Sequence, residues 1–94
     1  VVVHLSEDLE GDARPQVGFV VSKAVGNAVH RNLVKRRLRA ATAARLDVLP
    51  DHGRAVVRAL PASAAATFGD LSADLDRGLD RAVRRLHERA GVDR

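Results

Sequence analysis

The chain switches between two hydrophobic periods. Val1 to Leu5 is a β-branched run that reads as a strand, and Val17 to Ser22 reads as a second one. The second strand has two faces at period 2, Val17, Phe19 and Val21 on one and Gly18, Val20 and Ser22 on the other. Between the strands, Ser6 to Pro15 is polar and punctuated by Gly11 and Pro15, as a loop would be. The two strands are expected to pair antiparallel with each other. Gly26-Asn27 breaks the pattern, and Asn27 is a favourable helix N-cap. From there the period lengthens to that of a helix, predicted from about Ala28 to about Leu49. Val29, Leu33, Val34, Leu38 and Ala41 form its apolar side, and Pro50 and Gly53 end it.

Arg54 to Leu60 returns to period 2, setting Ala55, Val57 and Ala59 opposite Val56, Arg58 and Leu60, and Pro61 stops this strand. Ala62 to Ala66 is a linker or the lead-in to a helix. Thr67-x-x-Asp70 resembles a capping box with Asp in the usual Glu position. Leu71, Leu75, Leu79, Val83 and Leu86 then share one face of a final helix, and the tail after Ala90 is expected to fray. The order is β-β-α-β-α. A strand–helix–strand unit requires at least one parallel pair, so the fold class is α/β: an α+β two-layer sandwich with helices packed on a small mixed sheet. Ninety-four residues suffice for one domain, residues 1–94, with a modest core.

Composition narrows the chemistry. The chain has no cysteine, which removes disulfides, thiolate metal sites and cysteine nucleophiles and suits a reducing cytoplasm. No apolar run approaches the roughly 20 residues of a membrane span, and Val1-Val2-Val3 lacks the length and basic flank of a signal peptide. The net charge of +4 conceals a strong asymmetry. Residues 13–46 hold Arg14, Lys23, Arg31, Lys35, Arg36, Arg37, Arg39 and Arg45 with no Asp or Glu, while the rest of the chain is net acidic. Such segregation points to a polyanion met by one region.

On the first helix, Arg31, Lys35 and Arg39 recur at i, i+4 and i+8, and Asn32 and Arg36 lie beside them. The like-charge pairs Arg31–Lys35 and Lys35–Arg39 each cost roughly 0.2–0.5 kcal/mol. A merely solvated face mixes signs to avoid that cost. The final helix does so, with Asp70, Asp74, Asp76 and Asp80 ahead of Arg77, Arg81, Arg84, Arg85 and Arg89, complementing its dipole and allowing pairs such as Asp80–Arg84. A phosphate backbone would supply the missing compensation on the first helix. Asn27 at that helix's start could cap it and also present backbone amides to a phosphate. Arg37 and His30 fall toward the other side of the helix.

Other chemistry is poorly supported. His4, His30, His52 and His87 form no close ligand pair. Asp70 and Asp74 project away from Asp76 and Asp80 around their helix, which argues against a two-metal nuclease centre. Ser22 and Lys23 are adjacent strand residues facing opposite ways, which disfavours a nucleophile–base pair and leaves Lys23 as a phosphate contact. Phe19 and Phe68 are the only aromatic residues, and Phe19 suits the core or a base platform.

The ordered blocks Gly18-Phe19-Val20-Val21-Ser22-Lys23, Gly26-Asn27-Ala28-Val29 and Arg31-Asn32-x-x-Lys35-Arg36 resemble the signature of bacterial ribonuclease P protein components. The resemblance extends more loosely from Val1 through the final helix. It implies a fold like the second domain of ribosomal protein S5 (ribosomal protein S5 domain 2-like), with a left-handed βαβ crossover. It also implies a non-catalytic protein subunit of a ribonucleoprotein endoribonuclease, which binds the catalytic ribonuclease P RNA and the 5′ leader of precursor tRNA in the cytoplasm. The RNA performs the hydrolysis with Mg2+, and no metal site is predicted in the protein.

The implied RNA contacts are Lys23, Asn27, Arg31, Asn32, Lys35, Arg36 and Arg39, with Phe19 near the leader. Leu33 departs from the family, which often has Arg there. The family's usual opening helix and the aromatic-bearing segment before the first strand have no counterpart, so part of the leader cleft is expected to be absent. The sequence leaves the oligomeric state open. The alternative readings are a general RNA- or DNA-binding module without a processing role and, less favoured, an autonomous protein nuclease.

Overall fold

Three strands and two main helices form in the computed structural model: β1 (Val2–Glu7), β2 (Gln16–Val21), α1 (Ala28–Ala43), β3 (Gly53–Ala59) and α2 (Phe68–Val92). Short 3-10 turns occupy Lys23–Val25, Leu46–Val48 and Pro61–Ala65. The structure describes the backbone of residues 1–92 and the side chains of residues 1–89. The helix is continuous to Val92, and residues 93 and 94 of the expected frayed tail lie outside the described residues.

The sheet order is β1-β3-β2, so the expected β1–β2 pairing is not formed. β3 runs antiparallel to β1 and parallel to β2, and it separates them. β3 holds this central place with Ala55, Val57 and Ala59 fully buried under the helices, and with Arg54 and the preceding His52 bonded to the loop that crosses its end. The parallel partner required by the strand–helix–strand unit is therefore β2, reached through α1.

Separating β1 from β2 makes residues 8–15 cross the end of β3, and β3 holds that loop. Asp8 N–H donates to the His52 carbonyl at 2.9 Å, and His52 N–H donates to the Ala13 carbonyl at 2.8 Å. Arg54 donates to the carbonyls of Asp12 at 2.9 Å and Arg14 at 3.3 Å. Within the loop, hydrogen bonding from Arg14 holds the Asp12 carboxyl below its ordinary range. His52 takes a left-handed φ of 62° to make this turn.

One face of the sheet carries the core. Val3 and Leu5 of β1, Ala55, Val57 and Ala59 of β3, Val34, Leu38 and Ala41 of α1, and Leu71, Leu75, Leu79 and Ala82 of α2 form a single buried cluster. Val17, Phe19 and Val21 of β2 pack partly buried against it. Of the two faces read on each strand, Val17, Phe19 and Val21 of β2 and Ala55, Val57 and Ala59 of β3 are the inward ones, and most of the Leu stripe on α2 is buried as expected. Gly78 lets α2 approach β1 closely, since a Cβ there would come within 2.9 Å of Val3 Cγ2.

Two expectations about α1 are corrected. The helix ends at Ala43 rather than near Leu49. No glycine marks this end. Instead Thr42 is buried with its hydroxyl on the Leu38 carbonyl at 2.7 Å, and Arg45 leaves the helix path toward Asp76 and Asp80 of α2. The tighter turn that follows brings Val48 and Leu49 back onto the core, where a straight helix would carry them past it. Val29, assigned to the apolar side, is instead 75% exposed.

Candidate nucleic-acid interface

The N-terminus of α1 is built by three residues. Gly26 has φ 152° and ψ −166°, a conformation open essentially to glycine alone. Asn27 follows as N-cap, its side-chain oxygen accepting from His30 N–H at 3.0 Å. No acid occupies the helix's first turn, so the positive end of its dipole is uncompensated from within. Lys23 precedes this cap, exposed at the start of a 3-10 turn whose Val25 is buried.

From that start, the helical rotation spreads five polar side chains over two adjoining concavities. Arg31, Asn32 and Lys35 line a small one, about 170 Å³, together with Ala28 and with Val21 of β2. Asn32, Lys35, Arg36 and Arg39 line a larger one, about 460 Å³, together with Val29. Asn32 and Lys35 belong to both and form the ridge between them. Phe19 sits two residues before Val21 on the same side of β2, half-buried against the core. Lys23 lines neither concavity.

Among the described residues, none of Lys23, Arg31, Lys35, Arg36 and Arg39 is in an ion pair. Other cations of the basic segment serve the fold. Arg37 donates to the Ala66 carbonyl at 3.1 Å, tying α1 to the approach to α2. Arg45 lies 3.1 Å from Asp76 and 3.7 Å from Asp80. The expected Asp80–Arg84 pair is thus replaced by one with Arg45 in the segment just after α1, and Asp74 meets Arg77 at 3.7 Å. Three of the four aspartates of α2 are accounted for by cations. Among the described residues, no group of three or more His, Asp or Glu side chains is placed to hold a metal ion.

Arg31 is half-buried, and its Nε has no hydrogen-bond partner. An unsatisfied buried donor costs on the order of 1–3 kcal/mol, and a swing of this side chain toward an anion would relieve it. The surface can therefore hold several phosphates through Arg forks and Lys ammonium groups, with Asn32 supplying a neutral amide between them. Sequence reasoning missed Val29 as a member of this surface. The signal was available: Val29 and Arg36 are seven residues apart, close to two full turns, and share an azimuth.

A protein-family model described as Ribonuclease P matches residues 1–83. The ribonuclease P protein component of Acidothermus cellulolyticus is 54% identical over 81 residues, covering 86% of this chain and 68% of that protein. The ribonuclease P protein component of an Arthrobacter species is 48% identical over 85 residues, covering 90% of this chain and 62% of that one. This chain thus spans about two thirds of the length of these curated relatives. The solved structure of the Staphylococcus aureus RNase P protein superposes with a TM-score of 0.76 at 28% identity, covering 85% of this chain and 72% of that chain.

Proposed function

The chain belongs to the ribonuclease P protein family, and from that premise we propose that it is the protein subunit of a bacterial ribonuclease P, assisting 5′ maturation of tRNA. It binds the catalytic RNA and the 5′ leader of precursor tRNA in the cytoplasm. The hydrolysis and the Mg2+ it uses belong to the RNA. The observation that carries this reading is the basic fan of α1: Arg31, Asn32, Lys35, Arg36 and Arg39 line two adjoining concavities with no acid among the lining residues.

Each of these side chains has a task in the proposal. Arg31, Lys35, Arg36 and Arg39 neutralise phosphates, releasing counterions that drive association. Asn32 hydrogen-bonds between them, Lys23 extends the cationic track ahead of the helix, and Asn27 holds the helix end whose amides face an anion. The leader passes near the exposed part of Phe19, next to Val21 and the smaller concavity. The residues form a single RNA-binding domain whose rigid part is the sheet and whose contact element is α1.

The direct experiment is precursor-tRNA cleavage by a bacterial ribonuclease P RNA at low magnesium, with and without this protein. Stimulation is expected. A folded protein that fails to stimulate, and that binds ribonuclease P RNA no better than unrelated structured RNA or duplex DNA, would leave only a general nucleic-acid-binding module.

A further inference from the structure

Val29 is three-quarters exposed, at 75%, although it lies on the helix that carries the core residues Val34 and Leu38. Isolated exposed apolar residues are ordinary on protein surfaces. Leu9, at 73% in the loop after β1, is one of them. Val29 differs by its surroundings. It lines the concavity of about 460 Å³ whose other lining residues are Asn32, Lys35, Arg36 and Arg39.

The fold does not ask for valine there. The position is exposed, and serine matches valine in helix propensity. Phosphate binding does not ask for it either, because an apolar group adds nothing to a contact with an anion. A lining with one apolar patch, one amide and three cations matches a ligand with an apolar planar part and an anionic part together. A nucleotide unit of an RNA strand has both.

We propose that Val29 is the nucleobase-contacting residue of this interface. An unstacked base of the bound RNA lies against its side chain, Lys35, Arg36 and Arg39 hold the flanking phosphates, and the Asn32 amide hydrogen-bonds the base edge or the ribose. The arrangement follows the general logic of single-stranded RNA recognition, in which splayed bases are gripped on their faces and edges while charge follows the backbone. This inference rests on the RNA-binding reading above and adds a contact that charge alone does not provide.

The test compares wild type with Val29→Ser in binding a bacterial ribonuclease P RNA across a series of salt concentrations, with thermal unfolding of each protein alongside. The melting temperature should be unchanged, because the residue is exposed in the free protein. Affinity should fall about fivefold to tenfold at every salt concentration, the factor for returning much of one valine side chain to water. The slope of log affinity on log salt should stay that of wild type, because no phosphate contact is lost. Wild-type affinity in Val29→Ser, with the wild-type salt slope present, would overturn the base contact and leave the RNA-binding reading intact. Val29 would then face a protein or nothing. A loss accompanied by a flatter slope would also overturn it, because valine would then be positioning cations. A wild-type protein with no salt-dependent RNA binding would sink the underlying reading instead.

Discussion

Replacing Lys35 by Gln should make the protein more stable while making it a worse RNA binder. Lys35 stands one helical turn from Arg31 and one from Arg39, and among the described residues no acid pairs with any of the three. Each like-charge i, i+4 pair costs roughly 0.2–0.5 kcal/mol, so removing the shared member releases about 0.4–1 kcal/mol. Gln is close to Lys in helix propensity and keeps two methylenes of the half-buried stem, so little is lost in exchange. At about 4–8 °C per kcal/mol for a domain of this size, Tm should rise by about 2–8 °C at low ionic strength. The gain should shrink in high salt as the repulsion is screened. In RNA binding the same change removes one phosphate contact. With five cations engaged, the wild-type slope is roughly −3.5 to −4.5, and it should become shallower by roughly 0.7–0.9. Thermal scans and salt titrations on the same two proteins measure both effects. A Tm that falls, or one that rises equally at all salt concentrations, would show that like-charge repulsion is not what the helix carries. An unchanged slope would show that Lys35 meets no phosphate.

Three further outcomes follow from the geometry. Gly26→Ala should destabilise the fold by about 1–3 kcal/mol, because Gly26 holds φ 152° and a Cβ there comes within 3.1 Å of His30 Cβ; urea unfolding measures it. His52→Val should cost about 1–2 kcal/mol and His52→Gly should not, since His52 sits at φ 62° and valine tolerates that region worst; equal Tm values for the two would refute strain at this turn. Leu38→Ala should cost about 2–5 kcal/mol, because Leu38 is 0% exposed between the sheet and α2, and chemical denaturation should show a lower midpoint with little change in slope.

The elements were legible because local signals agreed with one another. Asn27 and Thr67 are N-caps in the structure as their sequence positions suggest, each bonded to a backbone N–H three residues on. The alternation in β3 reports its buried face without any tertiary information. Strand pairing was not legible, because nothing in β1 or β2 encodes a neighbour. Adjacency in sequence suggests a hairpin, and the deciding contacts lie elsewhere, in Arg54 and His52, which hold the loop that crosses the end of β3. The end of α1 was hidden for a similar reason. Its stop is a tertiary event, in which Arg45 turns to Asp76 and Asp80 and Leu49 returns to the core.

Arg36 and Arg37 show how far the candidate site could be read. They are chemically identical neighbours with different employment. Arg36 is exposed in the larger concavity, and Arg37 is half-buried with a donor on the Ala66 carbonyl. The helical step of 100° separates them, and the azimuth is set by which residues fill the core. Fixing Val34, Leu38 and Ala41 inward therefore turns Asn32, Arg36 and Arg39 outward, while Arg31 and Lys35, seven residues before the buried Leu38 and Thr42, stay half-buried at the edge of the core face. The same rotation that made the cations legible made Val29 misleading. As an apolar residue near the start of an amphipathic helix it was assigned to the core, yet its azimuth is that of Arg36. Where a residue's chemistry and its azimuth disagree, the azimuth identifies its neighbours, and the disagreement points to a contact that the isolated chain does not make.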